Sequence, residues 1–321
     1  MTRFIRAILE ILFAAGLSAQ AGEQPVSSYS GPCDASAAVA LDAGHFVVGN
    51  DEQNTLYIYR RGQAQAIAAL NLSKFLDTGA GQESDIEGAT AIGQRIYWIS
   101  SHGRDSKGKA RPDRHRFFAT ELLPGNPPEL KPLGEPYTRL LHDMKESAVL
   151  RPYKLGDAAR LAAEADGGLN IEGLAATPTG ALLIGLRNPL PQQRALLITL
   201  ENPGEVIAGR PARFGTPIEL DLGRRGIRSI ERVGENYLIV AGPTADSGSF
   251  ALYRWSGRPG DAASPLTGIN LDDLRPEAMF AIPHTGQVQF LSDDGGVTID
   301  GVNCKKLPAS RQTFRSLIVT P

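Results

Sequence analysis

The chain has 321 residues, 42% of them hydrophobic, with 33 Lys and Arg against 35 Asp and Glu and a formal net charge of −2. Such a composition suits one large all-β domain or two small ones. Its charge balance argues against nucleic acid or any other polyanion as the partner.

Residues 1–21 read as a segment apart from the fold. Arg3 and Arg6 precede an apolar run over residues 8–17, and the run ends in Ser18-Ala19-Gln20-Ala21. That order is the order of a cleaved secretory signal. Glu10 inside the run keeps a helix of the mature protein as the alternative. The apolar stretch is too short for a stable membrane anchor, so a periplasmic or secreted protein is expected.

From residue 33 onward one pattern recurs: a polar start, a short apolar run, a tight turn, and a second apolar run with a polar exit. The first copy runs from Asp34-Ala35-Ser36 through Asp42-Ala43-Gly44 to Asp51-Glu52. The second runs from Asp85-Ile86-Glu87-Gly88 through Gly93-Gln94-Arg95 to Ser101-His102-Gly103-Arg104. The third holds Asn170-Ile171-Glu172-Gly173, the turn Pro178-Thr179-Gly180 and the exit Arg187-Asn188. The fourth holds Ile227-Arg228-Ser229 and Gly234-Glu235-Asn236, and the fifth holds Pro276-Glu277-Ala278, Pro283 to Gly286, and Asp293-Asp294.

A third apolar stretch and a weaker fourth follow most copies, as in Thr55-Leu56-Tyr57-Ile58-Tyr59 and Pro217-Ile218-Glu219-Leu220. Four antiparallel strands repeated at a period of about fifty residues predict an all-β fold, a β-propeller. Five blades fit, over units 33–83, 84–165, 166–225, 226–272 and 273–321 of a single domain spanning 22–321. A sixth blade would have to lie within residues 122–166. Short helices are expected at 140–149 and 155–165, inside an insertion that is either a wall of a binding site or a plain connection.

A propeller closes by bringing its first and last units together. In an oxidising compartment Cys33 and Cys304 could then form a disulfide across the closure, with two buried free thiols as the alternative.

Strand direction places the unit starts and the exits of the second strands at one face, and the tight turns at the other. Ser36, Glu87, Glu172, Arg228 and Glu277 would then stand at equivalent positions around the axis. Carboxylates that close repel one another unless a cation, a raised pKa or an arginine intervenes. Asp85, Glu87, Glu172 and Glu277 are therefore candidate metal ligands, and oxygen donors without cysteine favour Ca²⁺ or Mg²⁺ over zinc, with Ca²⁺ the expected cofactor ahead of Mg²⁺. The alternative is a structural ion pair of Glu172 with Arg228. Ser36, Arg104, Arg187, Asn188 and Arg228 are candidate ligand-binding residues, and His102 and Glu172 are candidate catalytic groups.

The segment 101–116 carries Arg104, Lys107, Lys109, Arg111, Arg114 and Arg116. It could clamp an anion or be a solvated basic loop. A serine-nucleophile elbow, a phosphate-binding Gly-rich loop, His-Glu-x-x-His and Cys-x-x-Cys are all missing from the sequence, which disfavours those enzyme classes.

The segments Asp85-Ile86-Glu87-Gly88-Ala89, Tyr97 to Arg104, Asn170 to Ala175, Leu186 to Pro189, Gly226 to Ile230 and Leu291 to Gly295 make the chain resemble the bacterial family catalogued as domain of unknown function 3616, over nearly all its length after the signal. That name implies no activity. More distantly, Glu87-Gly88 and Glu172-Gly173 are similar to units of phytase-like esterase propellers, which implies axial calcium and a phosphoester substrate. Arg228 departs from an all-acidic axis. Two functions follow as expectations: a metal-dependent phosphoester hydrolase, or a non-enzymatic propeller binding a small anionic ligand or an envelope protein.

Overall fold

The computed structural model describes residues 26–50, 52–245 and 247–321. The expected signal segment and Asp51 lie outside the described residues. Among those described are five four-stranded antiparallel sheets and one two-stranded hairpin, so the β-propeller has five blades.

Each of the first four blades is a meander whose strands pair in chain order. They begin with the innermost strands Ala37–Ala40, Ile86–Ile92, Asn170–Ala176 and Gly226–Val233. The inner hairpins of the second and fourth blades turn through two-residue loops opened by Gly93 (φ 61°) and Gly234 (φ 62°). A positive φ at the first loop position matches the twist of the flanking strands and favours glycine there.

The fifth blade is completed from the other end of the chain. Its strands Pro276–Ala281, Val288–Ser292 and Thr313–Val319 are joined on the outside by Ser27–Ser30, with Tyr29 opposite Phe314. The sequence units placed no strand before residue 33, because four residues with a single apolar side chain carry no alternation to read. Cys33 and Cys304 are disulfide-bonded beside this junction, with Cα atoms 6.0 Å apart.

Cores form between neighbouring blades. Val47 and Leu56 of the first blade pack with Ile86, Trp98 and Phe118 of the second, and Phe46 stacks on Phe280 across the closing junction at 5.5 Å. Strands covered on both faces read as continuous apolar runs, and truncating one such aromatic costs about 3–5 kcal/mol.

The insertion between the second and third blades carries the helix Leu140–Glu146, close to expectation, and a shorter one at Leu155–Ala158. Helical pairing stops there because Ala162 bridges to Arg104 and the Ala159 carbonyl accepts from Arg104 Nε at 2.9 Å. Tertiary contacts override the helical pattern of residues 159–165. No described helix is long and apolar enough to cross a membrane.

Candidate functional site

In four blades the register of the innermost pair skips one residue. Ile86 pairs with Ser100 and Gly88 with Ile99, passing over Glu87. Glu172, Arg228 and Glu277 are passed over in the same way. A β-bulge frees one residue from the ladder and re-aims its side chain, so the same irregularity turns three carboxylates and one guanidinium inward. The small residue after each bulge keeps the axis narrow: a Cβ on Gly88 would come within 2.9 Å of Ile99 and 3.1 Å of the Leu174 side chain.

These axial charges neutralise one another. Glu172, 3% exposed, accepts from Arg187 Nη1 at 2.9 Å and from Asn170 Nδ2 at 3.0 Å through Oε1, while its Oε2 lies 2.8 Å from Arg228 Nε. Arg228 pairs through Nη2 with Glu277, bridging carboxylates of the two neighbouring blades. Its plane also lies over the Phe250 ring at 5.7 Å. Arg187 is held by Glu164 at 3.3 Å and by the carbonyls of Pro243 and Ala245.

Burial lowers the Arg228 pKa against the pull of Glu172, with Arg187 adding to the drop. Arg187 suffers the same desolvation, but Glu172 and Glu164 hold it above its ordinary value. Removing water from such charges is tolerable only where each keeps a counter-charge.

Two further polar clusters face the same space. Asp85, with φ 57°, accepts from Ser101 Oγ and lies 3.0 Å from Arg114, which also holds Glu83. Burial raises the Asp85 carboxyl in spite of Arg114. On the closing side Lys305 pairs with Asp34 at 3.4 Å and with Glu52 at 3.0 Å. Burial would raise the neighbouring Asp293 carboxyl, yet it is held low by a hydrogen bond with Asp34, by the Gly295 amide and by Lys305.

Asp85 and Arg114 of the one cluster, and Asp293 and Lys305 of the other, join the axial charges in lining a cavity of about 690 Å³ open at the bulge face. Of the residues singled out from sequence, the structure brings Asp85, Glu87, Arg104, Glu172, Arg187, Arg228 and Glu277 to this cavity. Ser36 sits deeper, at a constriction of about 10 Å³ shared with Glu87 and Glu172. His102 and Asn188 do not line the cavity. Asn188 is turned to the carbonyls of Ala163 and Ala165, fixing the insertion. His102 is 1% exposed, hydrogen-bonds the Ser100 carbonyl through Nδ1 at 2.8 Å and stacks on His115. Burial, helped by His115, pulls its pKa down to about 3.

The basic segment is neither a free clamp nor wholly solvated. Arg111 pairs with Glu83 at 3.3 Å, and Arg116 donates to the carbonyls of Leu76, Asp77, Pro112 and His115. Only Arg104 and Arg114 of this segment's basic residues reach the cavity. Sequence reasoning missed Glu164, Arg275 and Lys305 as cavity residues; the disulfide next to Lys305 was the one signal that could have found it.

Among the described residues no group of three or more His, Cys, Asp or Glu is arranged to hold a metal ion, and Glu172 and Glu277 face guanidinium groups already. Three buried atoms of the axial cluster have no hydrogen-bond partner among the described residues: Glu172 Oε2, Arg228 Nε and Asn170 Oδ1. The close Glu172–Arg228 approach is a charge contact whose N–H is not aligned on the oxygen.

Residues 137–289 match the family model described as "Protein of unknown function (DUF3616)", which supports the family resemblance over that span. The comparisons lend no support to the phytase-like likeness. No curated protein matches the chain. Among solved structures, the chain is similar to Myxococcus xanthus glutaminyl cyclase at 12% identity and TM-score 0.45, covering 91% of this chain and 94% of that one. It is also similar to a putative oxidoreductase (glucose dehydrogenase) from Thermus thermophilus, at 12% identity and TM-score 0.46 over 92% and 100% of the two chains. The PQQ-bound aldose sugar dehydrogenase of Streptomyces coelicolor gives 8% identity and TM-score 0.44 over 92% and 100%.

Proposed function

We propose that the chain is an exported binding propeller whose axial cavity holds a small polar ligand bearing a phosphate or carboxylate beside a hydroxyl or amide group. One observation carries this reading: Arg187 and Arg228 line the cavity beside Asn170, whose Oδ1 is buried without a hydrogen-bond partner among the described residues. Native structures rarely leave such atoms unpaired, and each costs about 1–3 kcal/mol until it is satisfied. A ligand anion on Arg228 and Arg187, with a hydroxyl or N–H donated to Asn170 Oδ1, would satisfy that oxygen, while Glu172 Oε2 keeps its charge contact with Arg228. Arginine suits this role because its planar fork matches carboxylate and phosphate. The disulfide fits an oxidising compartment.

Phosphoester hydrolysis is the second reading, favoured by Asp85. It is a carboxyl group in the same cavity as Arg187 and Arg228, placed where it could exchange a proton with a bound ester. Dependence on Ca²⁺ or Mg²⁺ would require Glu172 and Glu277 to leave their arginines.

The test is calorimetric titration of inorganic phosphate, glycerol phosphate and gluconate into the mature protein, with and without Ca²⁺. Saturable binding that needs no metal and weakens by about a hundredfold in Arg187→Met supports the binding propeller. Metal-dependent turnover of the ester would favour the second reading. If neither binding nor turnover occurs, both are overturned.

A further inference from the structure

The axial channel has a second mouth at the turn face. The constriction of about 10 Å³, where Ala37, Gly88 and Ala278 crowd the axis, separates it from the first cavity. Beyond lies a cavity of about 350 Å³ whose walls include Val39, Ala40, Ala91, Ala176, Phe280 and Ala281, all on innermost strands.

One blade breaks this pattern. Three positions beyond the axial residue stand Val39, Thr90, Ala175, Glu231 and Phe280 in the five blades. Only the fourth blade puts a charge there. Thr90 and Glu231 play the same structural part, each tying its strand to the next blade. Thr90 Oγ1 accepts from the Ala176 amide at 3.0 Å, and Glu231 Oε1 accepts from the Ala281 amide at 3.2 Å. A hydroxyl is enough for that bond, so a carboxylate is not required by the stitching.

Among the described residues Glu231 forms no salt bridge. The charged and titratable groups around it are Arg232, which is exposed, and Tyr237, whose hydroxyl donates to the Ala176 carbonyl at 3.1 Å. Burial among these walls pushes the Glu231 carboxyl up to about 7. Ionising it without a counter-charge is costly, and a ligand that brings a cation removes that cost.

We propose that this second mouth binds a small aliphatic amine as its ammonium ion, with Glu231 as the counter-ion and Val39, Phe280 and the ring of alanines against its hydrocarbon part. An anionic ligand would meet the Glu231 charge, and a neutral one would leave it desolvated. Arg232 also lines this cavity, at its exposed rim, where solvent screens its charge more than that of Glu231. The site is separate from the axial cavity and does not depend on what that cavity holds.

The test is calorimetric titration of n-butylammonium and of n-butanol into the mature protein at about pH 8. The amine is expected to bind saturably and the alcohol at least about tenfold more weakly. Glu231→Gln should weaken amine binding by about tenfold or more, and so should Glu231→Thr, which keeps the acceptor that Thr90 supplies elsewhere. Lowering the pH to about 5 should weaken wild-type binding by a similar factor, because Glu231 takes up its proton while the amine stays charged. Equal binding of alcohol and amine, unchanged binding in both variants, or no binding tighter than about 10 mM would overturn the proposal.

Discussion

Asp34 Oδ2 and Lys305 Nζ lie 3.4 Å apart, each one residue beyond a half of the Cys33–Cys304 disulfide. The covalent link that closes the ring therefore also sets one wall of the polar cavity. Without it the outermost strand of the fifth blade would be held by strand pairing and packing alone.

Replacing both cysteines by alanine is expected to lower stability by up to about 5 kcal/mol, the loop-entropy scale for so long a closed loop. Thermal melts of the variant should drop by up to roughly 8 °C. Phosphate affinity should fall as well, since Asp34 and Lys305 lose their fixed spacing. An unchanged melting temperature would show that packing of Tyr29 against Phe314 closes the ring unaided.

The axial charges make a second prediction. Arg228→Met leaves Glu172 and Glu277 buried beside a neutral side chain, which should cost about 3–5 kcal/mol. Adding Glu277→Gln removes the stranded charge, since Glu172 keeps Arg187, and should restore much of that loss, measured by urea denaturation of the single and double variants. Calcium should raise the melting temperature of Arg228→Gln, where the carboxylates are released, and leave the wild type unmoved. Calcium stabilisation of the wild type would instead show that the carboxylates part from arginine to take a cation.

Much of this architecture is legible in the sequence because each innermost hairpin carries its own turn residues and apolar runs, so the five blades and the equivalence of Glu87, Glu172, Arg228 and Glu277 follow from local pattern. What makes them axial is not local. The bulge that frees each of them shows in the register against the next strand, and single-strand periodicity does not encode it. Lys305 and Glu164 reach the cavity through ring closure and an insertion, contacts that join distant parts of the chain. His102 is the opposite case: a histidine close to Ser101 and Arg104 in sequence looks like a site residue, while its backbone turns left-handed (φ 56°) and its ring is buried against His115, away from the cavity lining.

That burial has a pH signature. The His102 pKa is depressed from 6.5 to about 3, so at pH 5 the unfolded chain binds a proton that the folded chain does not. The stability this group contributes is present above pH 6.5 and is lost as pH falls towards 3, by roughly 5 kcal/mol at most. His102→Asn should flatten the acid limb of a stability-versus-pH curve and leave phosphate affinity at neutral pH unchanged. A loss of affinity or turnover in that variant would return His102 to the catalytic role that the sequence suggested.

Glu231 predicts the reverse slope. Its folded pKa is raised from 4.5 to about 7, so between these values the folded chain keeps a proton that the unfolded chain has released. Stability from this group is therefore present below pH 4.5 and is lost as pH rises through 7, by about 3 kcal/mol at most and less because the carboxyl is part-exposed. Glu231→Gln keeps an acceptor for the Ala281 amide and removes the ionisation. The variant should match the wild type near pH 4.5 and become the more stable protein at pH 8, by denaturant unfolding at the two pH values. A saturating aliphatic amine should narrow that gap in the wild type alone, because the ammonium replaces the counter-charge that the fold omits. A gap that is the same at both pH values would mean that the Glu231 carboxylate is solvated in the folded protein and ionises as it does in the unfolded chain.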